Sequence, residues 1–111
     1  SQGDSAIAIG RNSGNSSQNA NALAIGRSAG NINQGTEAIA IGHLAGDANQ
    51  GNGAIAIGFG AGNINQAANS IVITADGNGN TITITQDGVT QRNVVNLDLT
   101  GNNGQVTINQ H

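Results

Sequence analysis

The pentapeptide AIAIG stands at positions 6–10, returns as ALAIG at 22–26 and as AIAIG at 38–42 and 54–58, and fades into SIVIT at 70–74. Each start lies 16 residues after the last. A fixed short period without insertions marks a solenoid, in which every unit contacts chiefly its neighbours. A disordered low-complexity tract has no reason to hold its apolar residues in register.

Inside each pentapeptide Ile or Leu alternates with Ala at a period of two, which is a strand pattern and not a helical one. The expected arrangement puts Ile7, Ile9, Leu23, Ile25, Ile39, Ile41, Ile55, Ile57, Ile71 and Ile73 inside the coil, with a small residue from the other side (Ser16, Ile32, Ala48 or Ile64). The column Ala8, Ala24, Ala40, Ala56 then faces outward. Gly10, Gly26, Gly42 and Gly58 close the strands, and Gly14, Gly30, Gly46 and Gly62 supply a second corner, since glycine tolerates positive φ. A rung is therefore strand, turn, short second strand, turn. Stacked at the usual ~4.8 Å, the rungs superpose like residues into ladders. Gln18, Gln34, Gln50 and Gln66 form one such column and Ser17, Asn33, Asn49 and Asn65 the next, so stacked amides are expected to bond from rung to rung.

Composition narrows the fold further. Of 111 residues, 18 are Gly and only Phe59 is aromatic, so an ordinary two-layer core would be thin. Oligomerisation can supply what a small core lacks, and the flat alanine column suggests packing against copies of itself around a three-fold axis. The formal net charge is −3, with three Arg and no Lys, which argues against nucleic acid and anionic membranes as partners. The apolar runs are far too short to span a bilayer, so no membrane insertion of this segment is expected. The absence of Cys excludes thiol chemistry. Ser1 in place of Met points to a fragment or a processed product.

The pattern AIAIG-x-x-AG-x-x-NQG, as at 22–35 and 38–51, resembles the head repeats of trimeric autotransporter adhesins (YadA-like heads), which also occur in phage and viral fibres. The resemblance covers about residues 6–74. It implies a left-handed parallel β-roll, three of which pack side by side as a homotrimer. The first unit is degenerate after its strand (RNSGNSSQNAN), and the last carries Thr74 where the others have Gly. Terminal repeats are commonly atypical. The family has no fixed catalytic site, and none is transferred.

After residue 75 the 16-residue register breaks. TITIT (81–85), VVNLDLT (94–100) and QVTIN (105–109) still alternate, at a spacing read as shorter and irregular, with turns at DGNG, QDG and TGNNG. The expected organisation is thus an all-β chain: a parallel β-solenoid of 16-residue rungs over 1–75, with rungs starting near 6, 22, 38, 54 and 70, and a C-terminal β-strand module over 76–111. That module caps the solenoid, continues it or exchanges strands between chains. An open solenoid edge invites end-to-end pairing, so a cap has a physical use.

Motifs that suggest chemistry are outweighed by plainer readings. DGNGNTITITQD (76–87) imitates a calcium loop but has Thr81 where the turn glycine belongs, and a strand fills its second half. GFGAG (58–62) repeats as a rung corner and lacks the helix of a dinucleotide site. NSS at Asn15 is a formal glycosylation sequon. His43, His111 and six scattered acids offer little for catalysis, so no enzyme, cofactor or metal is expected. One column stands apart: the residue after each strand glycine is Arg11, Arg27, His43 and then Phe59. At ~4.8 Å per rung this line spans ~15 Å and is the candidate binding site for a host or surface glycan or protein receptor. The expected function is an extracellular fibre or adhesin segment on a cell or virion surface, giving rigid multivalent display. An ice-binding solenoid and a curli-like self-assembling subunit are the alternatives.

Overall fold

A computed structural model of the chain describes residues 1–76, 78–79, 81–86, 94–100 and 104–110. Its strands are β1 (Ile7–Ile9), β2 (Ser16–Gln18), β3 (Leu23–Ile25), β4 (Ile32–Gln34), β5 (Ile39–Ile41), β6 (Ala48–Gln50), β7 (Ile55–Ile57), β8 (Ser70–Asp76), β9 (Thr81–Gln86), β10 (Val94–Thr100) and β11 (Gln105–Gln110). Among the described residues every strand pair is parallel. One sheet runs β1-β3-β5-β7-β8-β10, a second runs β2-β4-β6, and β9 pairs with β11. The fold is an all-β parallel solenoid with about four turns of 16 residues. Registers such as Ile7 beside Leu23, Leu23 beside Ile39 and Ile39 beside Ile55 superpose like positions, as the period requires.

The direction of the side chains is the reverse of the sequence expectation. Ala24, Ala40 and Ala56 are fully buried, whereas the flanking Ile7, Ile9 and Ile57 are 51%, 57% and 38% exposed. Leu23, Ile25, Ile39, Ile41 and Ile55 are half-buried, each shielded by its neighbours in the ladder. From Ala24 onward the alanine column therefore forms the inside of the coil and cannot meet other copies, while Ala8, in the first rung, is exposed. Ile32 and Ile64, placed inside by the sequence reading, are 42% and 69% exposed. The physical reason is width. Two sheets closed by 16 residues approach too closely for branched side chains, which need the ~10 Å of ordinary sheet packing. What fits is methyl groups: Ala24, Ala29, Ala40, Ala45, Ala56 and Ala61 form one continuous cluster.

One long side chain per rung completes this core, and it is a glutamine. Among the described residues Gln18, Gln34 and Gln50 are the largest fully buried side chains, and Gln66 is nearly as enclosed. Their amides do not stack on one another. Gln34 Nε2 donates across its own coil to the Leu23 carbonyl at 2.7 Å and to the Ala38 carbonyl at 3.3 Å. The same pair of bonds recurs from Gln18 to Ile7 and Ala22, from Gln50 to Ile39 and Ala54, and from Gln66 to Ile55 and Ser70. Each amide thus ties the first strand of its rung to the start of the next. The Oε1 atoms of all four are buried without a hydrogen-bond donor. Each faces the Cα of a glycine four residues earlier: at Gly46, where φ is +53°, an added Cβ would lie 2.7 Å from Gln50 Oε1. The oxygen is left with a glycine Cα–H, a weak donor.

Corners use the left-handed backbone. Gly42 has φ +125°, and a Cβ there would meet the Gly58 carbonyl oxygen at 2.7 Å. Asn33, Asn49 and Asn65 also have positive φ, near 53°, 58° and 55°. They form the amide ladder expected from the sequence: Asn33 Nδ2 donates to Asn49 Oδ1, and Asn49 Nδ2 to Asn65 Oδ1, both at 2.9 Å.

The glycine missing at Thr74 has a visible effect. The chain does not turn there, and β8 runs on to Asp76 as a strand of seven residues, where the earlier rungs have three. β8 stays in the main sheet, with Ile55 beside Ile71 and Ile57 beside Ile73. β10 then pairs onto β8 with Val94 beside Ser70, and β11 onto β9 with Gln105 beside Thr81, a spacing of 24 residues in both pairs. The spacing lengthens after residue 75 instead of shortening.

Candidate functional site

The four residues singled out at the outer corner are brought into one line by the backbone. Ser28 N donates to the Arg11 carbonyl at 2.9 Å, Leu44 N to the Arg27 carbonyl at 3.0 Å and Gly60 N to the His43 carbonyl at 2.9 Å. The ladder thus runs through the column itself and fixes its spacing. The preceding glycines turn each strand outward, so the side chains that follow leave the coil.

Three of the four side chains are joined. Arg27 Nε and Nη2 lie 3.1 and 2.7 Å from His43 Nε2. A guanidinium can only donate, so Nε2 is the accepting atom of this contact. The His43 ring in turn packs against Phe59, with centroids 5.2 Å apart and planes tilted by 57°. Phe59 remains 57% exposed. Arg11, one rung before Arg27, is exposed and joins none of these contacts. Among the described residues neither Arg11 nor Arg27 forms an ion pair with a carboxylate. The corner therefore offers two uncompensated cations, one imidazole held by hydrogen bonding and one open aromatic face.

Other motifs give less. Among the described residues no cluster of three or more His, Cys, Asp or Glu is arranged to hold a metal ion. Gly77, Asn80 and Asp87 of the calcium-like stretch and His111 lie outside the described residues. GFGAG forms a rung corner between β7 and the next turn, with positive φ at Gly58, Gly60 and Gly62. No helix among the described residues is long and apolar enough to cross a membrane. A groove of about 350 Å³ opens beside the last short rung, lined by Ile64, Gln66, Ala67, Ser70 and Val72 among others, but the Gln66 amide there is engaged with backbone carbonyls as in every other rung.

Sequence reasoning missed the buried glutamine as a core element. The available signal was its constant place four residues after a glycine: Gly14 and Gln18, Gly30 and Gln34, Gly46 and Gln50, Gly62 and Gln66. It also missed the outward isoleucine face as a surface in its own right. No family model matches the chain, and no curated protein and no solved structure matches it either.

Proposed function

We propose that the chain is a segment of an extracellular homotrimeric fibre, of the adhesin-head or tail-fibre kind, that displays a binding surface rigidly and in three copies. The observation that carries this reading is the pair of outward apolar ladders on the main sheet. Ile7, Leu23, Ile39, Ile55 and Ile71 form one, and Ile9, Ile25, Ile41, Ile57 and Ile73 the other. A solenoid whose rungs enclose mainly alanine methyls and one glutamine each gains little hydrophobic stabilisation by itself, while covering a half-buried isoleucine between chains adds roughly half of the ~1.5–3 kcal/mol that full burial gives. A continuous stripe of this kind on a soluble surface is the mark of an interface. Two further copies are its natural occupants, since identical rungs present identical spacings and close about a three-fold axis without leaving an open end. The resemblance of the repeats to trimeric adhesin heads agrees with that occupancy.

In this reading the stacked backbone ladders make the rod stiff, the isoleucine face binds the chains together, and the corner column faces the medium. The strands after residue 75 continue the shaft, because β10 lengthens the same sheet that carries the isoleucine ladders. Three weak sites held at fixed spacing then add through effective concentration. Light scattering of the purified chain tests the assembly. A mass three times that of the monomer is expected, and replacing Ile25 and Ile41 together by Asp should yield monomers with the β-sheet circular dichroism retained. A wild-type chain that stays monomeric at micromolar concentration defeats the proposal. Thermal hysteresis in that monomer would favour the ice-binding alternative.

A further inference from the structure

We propose that the outer corner formed by Arg11, Arg27, His43 and Phe59 binds an acidic polysaccharide, with the two guanidiniums taking uronate carboxylates and Phe59 receiving a sugar face. This deepens the attachment role proposed above and rests on it for biological setting, though not for chemistry.

The anion preference follows from the unpaired charge. The chain is acidic overall, yet Arg11 and Arg27 stand on adjacent rungs with no carboxylate partner among the described residues. A planar guanidinium with free donors recognises a carboxylate through paired, charge-assisted hydrogen bonds. Arg27 is already oriented: Nε and one N–H of Nη2 face His43, so the second N–H of Nη2 and both of Nη1 point away from that bond. Less rotamer entropy is then lost on binding. Phe59 supplies the second element. Its ring leans on His43 on one side and is more than half exposed, and the electron-rich face of an aromatic ring attracts the polarised C–H groups of a pyranose.

Geometry selects a polymer of sugars over other anions. Backbone bonding fixes the column at one side chain per ~4.8 Å, close to the advance of one hexopyranose along an extended chain, so successive sugars meet successive rungs. An acidic peptide has no strand edge to join here, because the carbonyls of Arg11, Arg27 and His43 already accept ladder hydrogen bonds. Nucleic acid requires several cations against a dense row of phosphates, whereas this corner has two on a molecule of net charge −3. A uronate polymer, with one carboxylate per sugar at most, matches that sparse charge.

The test uses immobilised polygalacturonate and the same polymer fully methyl-esterified, in which each carboxylate becomes a neutral methyl ester, with biolayer interferometry at physiological salt. The unmodified chain should bind the acid form and bind the ester at least about tenfold more weakly. Arg27→Gln and Phe59→Ala should each lower binding about tenfold, and Arg11→Gln by a smaller factor. Glu37→Gln, at an exposed position outside the column, should leave it unchanged. Melting temperature and light scattering are recorded on every sample. Equal binding to acid and ester, no binding to either by a folded chain, or a folded Phe59→Ala variant that binds normally would each overturn the inference. A trimer that fails to bind refutes the polysaccharide site and leaves the fibre reading standing; a monomer that binds does the opposite.

Discussion

Replacing Gln34 by Glu changes one buried NH₂ group into an oxygen and little else in shape. In the native rung that nitrogen donates to the Leu23 and Ala38 carbonyls at 2.7 and 3.3 Å, in a side chain with 0% exposure. Loss of two hydrogen bonds costs ~2 kcal/mol at ~1 kcal/mol each. An ionised carboxylate there is costlier still, since it faces two carbonyl oxygens with no water to solvate it. The total is several kcal/mol, comparable with the whole stability of a small domain at ~5–15 kcal/mol. Protonation offers partial rescue, because a carboxylic acid regains one donor. The folded state then binds a proton that the unfolded chain, with a Glu near pKa ~4.3, releases. Stability of the variant must therefore fall as pH rises above that value, by up to ~1.4 kcal/mol per unit, until the folded form ionises as well. Urea unfolding followed by circular dichroism between pH 4.5 and about 7.5 measures this slope relative to the parent chain. Asn19→Asp, at an exposed position, serves as control and should show no comparable slope. A Gln34→Glu protein as stable as its parent at neutral pH, or one with a flat pH difference, would show that the amide is not the tie described above.

Gly46→Ala forces a Cβ onto Gln50 Oε1 at 2.7 Å from a backbone at φ +53°, and should cost ~2–4 kcal/mol by chemical denaturation. Exposed Glu37 has φ +60° in a column otherwise occupied by Ser5, Asn21, Gly53 and Asn69, so Glu37→Asn should stabilise by ~0.5 kcal/mol in the same assay. His43→Ala frees the Arg27 guanidinium, and should leave the melting temperature within about a degree while weakening polygalacturonate binding, because exposed contacts contribute little to folding.

The period, the strands and the corners were readable because each leaves a local mark. Alternation at 7–9, 23–25, 39–41 and 55–57 names the strands, and the glycines at 10, 26, 42 and 58 name the turns that follow. Which face points inward was not readable from size. Isoleucine is ordinarily the buried member of an Ile/Ala pair, and the preference inverts here because a 16-residue coil that already encloses one glutamine per rung leaves room at the strand positions for little more than methyls. Gln34 illustrates the same limit: a polar residue in a turn reads as surface until the carbonyls that surround it are known. The corner column was legible as a line, since position alone places Arg27, His43 and Phe59 one above another. Its internal bonding was not, because rotamers decide whether neighbours touch. The 24-residue spacing of β8 with β10 was hidden by divergence; SIVITAD and VVNLDLT share an alternation but no identical residue at any paired position.

Because each glutamine fastens carbonyls belonging to its own loop and the loop's immediate successor, each described sixteen-residue rung is tied by its core amide to its neighbour alone. Length is therefore a free variable. Inserting or deleting a whole sixteen-residue segment leaves every remaining enclosure intact, so duplication within a gene can reset how far such a rod reaches without any compensating substitution.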